Sequence, residues 1–379
     1  QRHRHPSGRQ ENRPEIVTFT DTDVHHMARA LELARRGLYT TDPNPRVGCV
    51  IVKDGKAVGE GFHVRAGEPH AEINALRAAG AAARGATVYL TLEPCCHHGK
   101  TPPCTQALIA AGVARVVAAM QDPNPRVAGQ GFAELKQAGI GAAYGLMQSE
   151  AEVLNPGFIS RMQRGRPFMR VKLAASLDGR TAMANGESKW ITGEPARADV
   201  QHWRARSSAI LTGIGTVLAD DPSLNVRAFD IGRQPLRVVL DSQLQMSPKA
   251  KMLALPGATL VVTVSNDAAR TEALRKAGAD VQVVGKDGRV DLAALMKMLA
   301  VREVNEILVE AGATLSGALL EAGLVDELVL YQAPCLLGDA GRGLFRLANL
   351  TQMAARPALE IKDMRAIGQD WRLVARIVN

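Results

Sequence analysis

Aromatic residues are scarce in this chain: three Trp, four Tyr and seven Phe make up only 4% of its 379 residues. A groove that stacks bases on aromatic rings is poorly provided for, even though 46 Lys and Arg against 38 Asp and Glu leave a formal charge of +8. The arginines are spread along the chain rather than gathered in blocks. The basic balance therefore reads as a mildly basic surface that suits a phosphorylated small molecule better than nucleic acid. Cysteine is sparse too. Five in the whole chain make no disulfide framework and suit a reducing, cytoplasmic setting. Long apolar runs are missing, and none reaches the roughly 18 residues a membrane span needs. The opening QRHRHPSGRQENRPE lacks the apolar segment of a secretory signal and reads as a disordered basic tail over 1–20. We expect a homo-oligomer that binds neither nucleic acid nor membrane.

What is present is 46% hydrophobic, mostly Ala, Val, Leu and Gly, which is enough for packed cores. The length suits two domains of roughly 150–200 residues each. Asp21-Thr22-Asp23 reads as the cap of a helix running to about Arg36, with Met27, Leu31 and Ala34 on one face and His25-His26 in solvent. VGCVIV (47–52) reads as a strand, and Asp54-Gly55 as a hairpin turn into a second strand through Val58. Helices over 70–80 and 105–112, strands over 86–92 and 113–120, and a helix near 131–138 continue the series. One hairpin followed by alternating helix and strand predicts a three-layer α/β/α domain with a mixed sheet over 21–165. Asn155 to Pro167 breaks the pattern. A second α/β domain is expected over 166–379, with strands near 168–175, 208–213, 236–241, 258–264, 281–284, 305–310 and 327–333. Its helices fall over 194–206, 268–277, 291–300 and 314–322, and WRLVARIV (371–378) reads as an antiparallel edge strand.

The segment LEPCCHHGKTPPC (92–104) crowds three of the five cysteines and two of the nine histidines together. Disulfides, a metal or a nucleophilic thiol would each account for such crowding. Upstream lies Pro69-His70-Ala71-Glu72 at a helix start. A catalytic zinc keeps three protein ligands and one open position, which one His and two Cys would satisfy. A carboxylate that does not bind the metal must then take and return protons, and Glu72 is the candidate. Spacing alone does not bring Glu72 and His70 into one pocket, because helical positions two apart point about 200° apart. Cys95 follows a strand and Cys104 opens a helix, where a thiolate is favoured. The bland alternative is a set of buried structural residues. A closed, purely structural zinc module would need a fourth ligand, for which Cys96 is available.

The pattern H-x-E…P-C-x-x-C marks the zinc nucleobase deaminases. His70-Ala71-Glu72 and Pro94-Cys95 match it, but eight residues separate Cys95 from Cys104 instead of two. That longer insert, together with NPRVGCVIV (44–52) and DPNPRV (122–127), resembles the bifunctional riboflavin-biosynthesis deaminase–reductase family, from about residue 22 to the C-terminus. The resemblance implies a cytidine-deaminase-like fold, one zinc on His70, Cys95 and Cys104, Glu72 as proton shuttle and Cys96 as a bystander. It implies a substrate that is a diaminopyrimidinone carrying a phosphoribosylamino group, contacted by Asn44, His63, His97 and Lys100. Lys100 would meet the phosphate as a point charge and Asn44 would read a ring edge. Asp122 and Asn124 are weaker candidates, and His98 is unassigned. A free-nucleoside or tRNA deaminase with an appended domain is the rival reading, against which the long Cys spacing and the second half both count.

In the second half, Arg170 to Arg180 ends a strand in a polar turn, and Ser188-Lys-Trp190, LTGIGTVLADDP (211–222) and LVEAGATLSGALL (308–320) follow. Glycine-bearing turns from strand to helix suit phosphate binding. The dinucleotide fingerprint fails, since Gly213-Ile-Gly215 is followed by Leu218 where a third glycine should stand. The same family resemblance implies a dihydrofolate-reductase-like domain that uses NADPH to reduce the ribosyl side chain to ribityl. It places Ala174, Trp190, Thr216, Asp220, Gly312, Ala313, Thr314, Leu315, Ser316 and Gly317 at the cofactor. Lys172, Ser188, Arg204, Leu224, Arg227 and Glu310 then face the substrate. Arg204 and Arg227 are suited to a bidentate grip on phosphate, and Lys172 and Glu310 to proton transfer. Cys49 and Cys335 read as inert apolar core.

Overall fold

The computed structural model describes residues 18–97, 102–125, 127–286 and 288–378. The expected tail lies outside the described residues up to position 17, as do His98 and Lys100.

Helix α1 (Asp21–Arg35) starts within the stretch expected to cap it, and its cap lies one residue earlier. Thr20 is the N-cap: its hydroxyl accepts from the Asp23 N–H at 3.2 Å, and the Asp23 carboxylate accepts from the Thr20 N–H at 2.9 Å. Met27, Leu31 and Ala34 are buried as their spacing predicts. His26 is not in solvent. It falls in the series Asp23, His26, Ala30 and Leu33, which shares the inward stripe, and its ring lies 5.3 Å from that of Tyr89.

The first sheet takes β1 (Gly48–Lys53), β2 (Lys56–Phe62), β3 (Thr87–Leu90), β4 (Arg115–Ala118) and β5 (Gly141–Tyr144) in the order β2-β1-β3-β4-β5. The β2–β1 and β1–β3 pairs are antiparallel and the other two parallel, so the sheet is mixed. Between the strands come α2 (Ala71–Ala79), α3 (Cys104–Ala111) and α4 (Gln130–Gln137). Gly48 pairs with Phe62 and Cys49 with Gly61, so Gly48 and Gly61 face opposite sides of the sheet. A Cβ on Gly48 would stand 1.9 Å from the Ala30 carbonyl of α1, and one on Gly61 2.5 Å from the Ala71 carbonyl of α2. The two glycines let one helix lie close on each face, which makes three layers. β5 went unread in the sequence because GAAY is short and half-exposed.

α5 (Gln148–Leu154) leads into the stretch that the sequence reads as a break, which holds α6 (Pro156–Arg164) with proline at its first turn. Then follow β6 (Phe168–Ser176), β7 (Arg180–Ala182), α7 (Glu194–Arg206), β8 (Ala209–Gly213), α8 (Ile214–Asp220), β9 (Leu236–Leu240), β10 (Thr259–Thr263), α9 (Ala268–Lys276) and β11 (Ala279–Val283). The short pair β12 (Gly285–Lys286) and β13 (Arg289–Val290) leads to α10 (Leu292–Val301), β14 (Glu306–Val309), α11 (Ala313–Glu321), β15 (Glu327–Ala333), the short β16 (Arg342–Gly343), β17 (Ala358–Ile367) and β18 (Asp370–Val378). Nine strands pair in the order β11-β10-β9-β8-β14-β6-β15-β18-β17. All run parallel from β11 to β15, and β18 and β17 close the row antiparallel. The central strands read as mostly apolar runs because both their faces are covered. β18 is antiparallel as expected but is not the edge. Its outer neighbour β17 mixes apolar and charged residues and is mostly exposed, which hid it from pattern reading.

The two sheets meet at a buried ion cluster. Glu306, at the start of β14, accepts from Arg46 at 2.5 Å, from Arg170 of β6, and from Arg206 of α7 at 3.3 Å, and Arg170 also reaches Glu327 at 2.5 Å. The Glu306 side chain is 1% exposed, that of Arg170 2% and that of Arg46 7%. Burial pushes the Glu306 carboxyl up, but the guanidiniums of Arg46, Arg206 and Arg170 outweigh it and hold the group well below the usual carboxylate range.

Candidate functional site

His70 is the N-cap of α2 and has extended backbone, at φ −70° and ψ 167°. The 200° objection between His70 and Glu72 therefore falls away, because only Glu72 is on the helix. The approach of α2 to β2 across Gly59 and Gly61 fixes where that first turn begins. Asn74 of α2 tightens it by donating to the Phe62 carbonyl at 3.0 Å and the Pro69 carbonyl at 3.3 Å.

Cys95 follows β3, and Cys104 is the first residue of α3. The Cys104 N–H donates to the Cys95 sulfur at 3.3 Å, and the Thr105 N–H to the Cys95 carbonyl at 3.2 Å. The His70 Nδ1 lies 3.7 Å from the Cys95 Sγ and 3.4 Å from the Cys104 Sγ. All three donor atoms fall within 4.8 Å of one another. One imidazole nitrogen and two sulfurs that converge so closely fit three corners of a zinc tetrahedron. The sulfur of Cys104 and the imidazole of His70 favour the Cys95 thiolate and pull its pKa down. Cys96 stands outside the group. Its sulfur points to Gln130, 4.0 Å from that Oε1, so it supplies no fourth corner.

Glu72 is 4% exposed. Burial, with the charge of Cys95 beside it, raises its carboxyl above the ordinary value, and its side chain bonds to Cys104. A buried carboxyl with raised proton affinity beside the donor group is equipped to carry a proton. His63 is also buried. Its Nδ1 donates to the Pro69 carbonyl at 3.2 Å, which leaves Nε2 to accept from the Asn44 amide at 3.0 Å. The His63 and His70 rings meet edge-on at 5.2 Å. Asn44, His63 and His70 thus form a contiguous row with Glu72 beside it, while His97 is exposed at the far end of the Cys95 segment. Asp122 is half-buried, and its carboxylate accepts from the Asn124 N–H at 2.8 Å.

The sequence reading missed Glu93. This buried carboxylate accepts four backbone N–H groups, of Asp122 at 3.0 Å, Gly129 and Gly131 at 2.9 Å each, and Phe132 at 3.4 Å. It binds the 122–131 loop to the segment carrying Cys95. The available signal was a carboxylate wedged between Leu92 and Pro94 at a strand end.

In the nine-stranded sheet, Val309 pairs with Val171, so Glu310 and Lys172 emerge side by side where β14 ends. Arg204 of α7 donates to both Glu310 oxygens, at 2.6 and 2.9 Å, and to the Asn225 carbonyl at 3.1 Å. The bidentate fork expected to hold phosphate is therefore engaged by Glu310, since two charges buried this deeply need each other. Burial raises the Glu310 carboxyl, Arg204 more than offsets this, and the net shift is downward. Burial lowers the proton affinity of Lys172, whose Nζ stands 6.0 Å from the Tyr331 ring. Ala174 lies on β6 opposite Tyr331. Arg227 is exposed and Leu224 buried. Trp190 is 72% exposed with the Arg197 guanidinium 4.6 Å from its ring, Ser188 is half-buried two residues before it, and Lys189 pairs with Asp220 at 2.7 Å.

Gly213 and Gly312 cap α8 and α11. A Cβ on Gly215 or Gly312 would meet nothing within 4 Å, so these two helix starts border open space. Leu315, Ser316 and Gly317 turn inward. A Cβ on Gly317 would stand 2.1 Å from the Arg346 carbonyl, so Gly317 serves helix packing. Cys49 is buried in β1, as expected. Cys335 is only half-buried, because β15 ends at Ala333 and the chain turns outward there.

The family model described as the cytidine and deoxycytidylate deaminase zinc-binding region matches residues 20–120, and that described as the RibD C-terminal domain matches residues 167–373. The riboflavin biosynthesis protein RibD of Escherichia coli (strain K12) is 55% identical over 361 residues, which cover 92% of this chain and 97% of that protein. The solved structure of Acinetobacter baumannii RibD, form 1, is 48% identical with a TM-score of 0.89, covering 94% of this chain and 99% of that one. A Thermotoga maritima structure titled a diaminohydroxyphosphoribosylaminopyrimidine deaminase/5-amino-6-(5-phosphoribosylamino)uracil reductase is 34% identical with a TM-score of 0.83, at the same coverages of 94% and 99%. Zinc-ligand geometry at one sheet, a charged cluster beside open helix starts at the other, and these likenesses over nearly the whole length agree: the chain belongs to the RibD family of riboflavin biosynthesis proteins, which join a zinc-dependent deaminase to an NADPH-dependent reductase.

Proposed function

We propose that the chain divides near residue 165 into a deaminase unit and a reductase unit that act in turn on one phosphorylated pyrimidine. The first substrate is the diaminopyrimidinone carrying a phosphoribosylamino group. Zinc held by His70, Cys95 and Cys104 supplies Lewis acidity that makes a water nucleophilic near neutral pH. Glu72 accepts the proton of the attacking water and returns it to the departing amine, so a ring C–N bond is exchanged for C–O and ammonia leaves. Asn44 and His63 orient the ring, and His97 and Lys100 meet the ribosyl phosphate. The observation that carries this half is the buried Glu72 carboxyl beside a converged His/Cys/Cys donor set.

In the second unit NADPH supplies hydride to the ribosyl carbon of the deaminated product. Lys172, beside Glu310, delivers the proton that completes the ribityl group. Arg204 fixes the Glu310 carboxylate, and Arg227, exposed at the rim, takes the phosphate. We extend the reading to a cytoplasmic homo-oligomer with no nucleic-acid partner. Exposed apolar side chains along β17, Ile361 and Met364 among them, support the oligomer, and the scarcity of stacking aromatics supports the lack of nucleic acid. Among the described residues no helix is long and apolar enough to cross a membrane.

The test pairs metal analysis of the purified protein with an ammonia assay on the phosphoribosylated diaminopyrimidinone. The expected result is zinc in a one-to-one ratio to chain and ammonia release that ends when zinc is stripped. Full activity after exhaustive chelation would overturn the reading.

A further inference from the structure

The loop that carries Asn44 is held by the other unit as well as by its own. Asp42, two residues before Asn44, accepts from the Ser208 hydroxyl at 2.7 Å and from the Asn305 amide at 3.2 Å. The Pro43 carbonyl accepts from the Asn305 amide at 2.8 Å. The Tyr39 carbonyl accepts from Arg233 at 3.0 Å, and the Tyr39 hydroxyl meets the His202 Nδ1 at 2.9 Å. On the far side, Arg46 enters the ion cluster at Glu306. Asn44 is thus bracketed by contacts with the nine-stranded unit.

The peptide plane between Pro43 and Asn44 is tied at both polar groups. Its carbonyl goes to Asn305, and its N–H donates to the Thr41 carbonyl at 2.8 Å. A peptide unit is rigid, so fixing both groups fixes where the Asn44 Cα stands. That side chain reaches the His63 Nε2 at 3.0 Å, and the His63 ring abuts that of His70. Ser208 and Asn305 are themselves well set for this work. Both are buried, and the Ser208 hydroxyl also accepts from the Asn305 and Glu306 N–H groups at 2.9 and 3.1 Å. The Asn305 Oδ1 accepts from Arg161 at 2.7 Å. The two side chains that grip Asp42 and Pro43 are thus held in turn.

We propose that Ser208 and Asn305 are positioning residues for deamination, supplied by the reductase unit to hold Asn44 against the deaminase pocket. The proposal rests on the reading of Asn44 as a substrate contact. Both residues precede the N-terminal ends of β8 and β14, whereas Lys172, Arg204 and Glu310 gather where β14 ends. The grip on the loop and the hydride chemistry thus use opposite ends of the same strands, and the two activities can be read separately.

The experiment measures ammonia release and, with deaminated intermediate supplied, NADPH oxidation in the full-length variants Ser208→Ala, Asn305→Ala, Asp42→Ala and Asn44→Ala, with zinc content and melting temperature alongside. The expected result for Ser208→Ala and Asn305→Ala is a deamination KM raised about tenfold, with kcat within about threefold, zinc retained and reduction within about twofold of the parent. Asp42→Ala, whose side chain is only half-buried, gives the same test should a buried substitution fail to fold. The pair Ser208→Ala/Asp42→Ala should be non-additive in deaminase kcat/KM, because both remove one hydrogen bond. An unchanged deamination KM while Asn44→Ala impairs it would overturn the proposal. So would a fall of both activities in step with the melting temperature, which marks general loosening. If Asn44→Ala itself leaves deamination intact, the assignment of Asn44 under the proposed function fails first and takes this proposal with it.

Discussion

Replacing Glu306 by Gln removes the one carboxylate that faces Arg46, Arg170 and Arg206 together. Arg170 would keep Glu327, but Arg46 would lose its only ion pair among the described residues, inside an interface where its side chain is 7% exposed. Breaking a buried pair at one partner typically costs about 3–5 kcal/mol, since the other charge stays desolvated and uncompensated. Glutamine matches the size of glutamate, so little of this cost comes from lost volume. For a cooperative unit of this size, 1 kcal/mol moves Tm by roughly 2–4 °C, which places the variant about 6–20 °C below the parent. Thermal melts followed by near-UV circular dichroism read this directly. The pH dependence adds a signature. The folded Glu306 carboxyl sits well below its ordinary value, so its stabilisation is complete above the unfolded glutamate pKa and is lost only as pH falls through the folded one. The gap between parent and variant should therefore stay constant from about pH 6 to 8 and narrow only below about pH 4. An equal or higher Tm for Glu306→Gln at neutral pH would refute the reasoning, because desolvation would then already have cancelled the attraction.

Three other outcomes are expected. Glu72→Ala should cut ammonia release by about 10²-fold or more and leave NADPH oxidation with supplied intermediate untouched; loss of both in a folded protein would count against two independent sites. Cys95→Ser and Cys104→Ser should lose zinc on dialysis, measured by atomic emission, and Cys96→Ser should keep it; equal release from Cys96→Ser would mean a closed, four-ligand site. Gly61→Val puts a Cβ 2.5 Å from α2 backbone, so it should lower stability by about 1–3 kcal/mol in urea melts and weaken zinc retention by shifting His70; normal zinc affinity would show that α2 tolerates displacement.

The central strands of the nine-stranded sheet were readable because burial on both faces writes itself as mostly apolar runs, as in Leu236–Leu240 and Thr259–Thr263. The donor set was readable because thiol and imidazole rarely crowd together without a metal. Geometry that depends on long-range packing was not. Nothing local says that His70 stands just outside its helix, or that Glu310 takes up the fork of Arg204. His26 was misplaced because a histidine pair looks polar, while the stripe from Asp23 to Leu33 carries it inward. β17 escaped because an exposed strand has no burial to impose a period. The carboxylate of Glu93 and the junction at Glu306 were silent for a shared reason: their partners lie 29 or more positions away along the chain.

The ion cluster at Glu306 also bears on modularity. A chain severed between α6 and β6 would strand the Arg46 guanidinium on one fragment, while on the other Glu306 would lose one of its three guanidinium partners. Such fragments are built to recapture one another, and salt should slow their reunion. Fusion in this chain is therefore more than a convenience of co-expression: each half completes the other's interior.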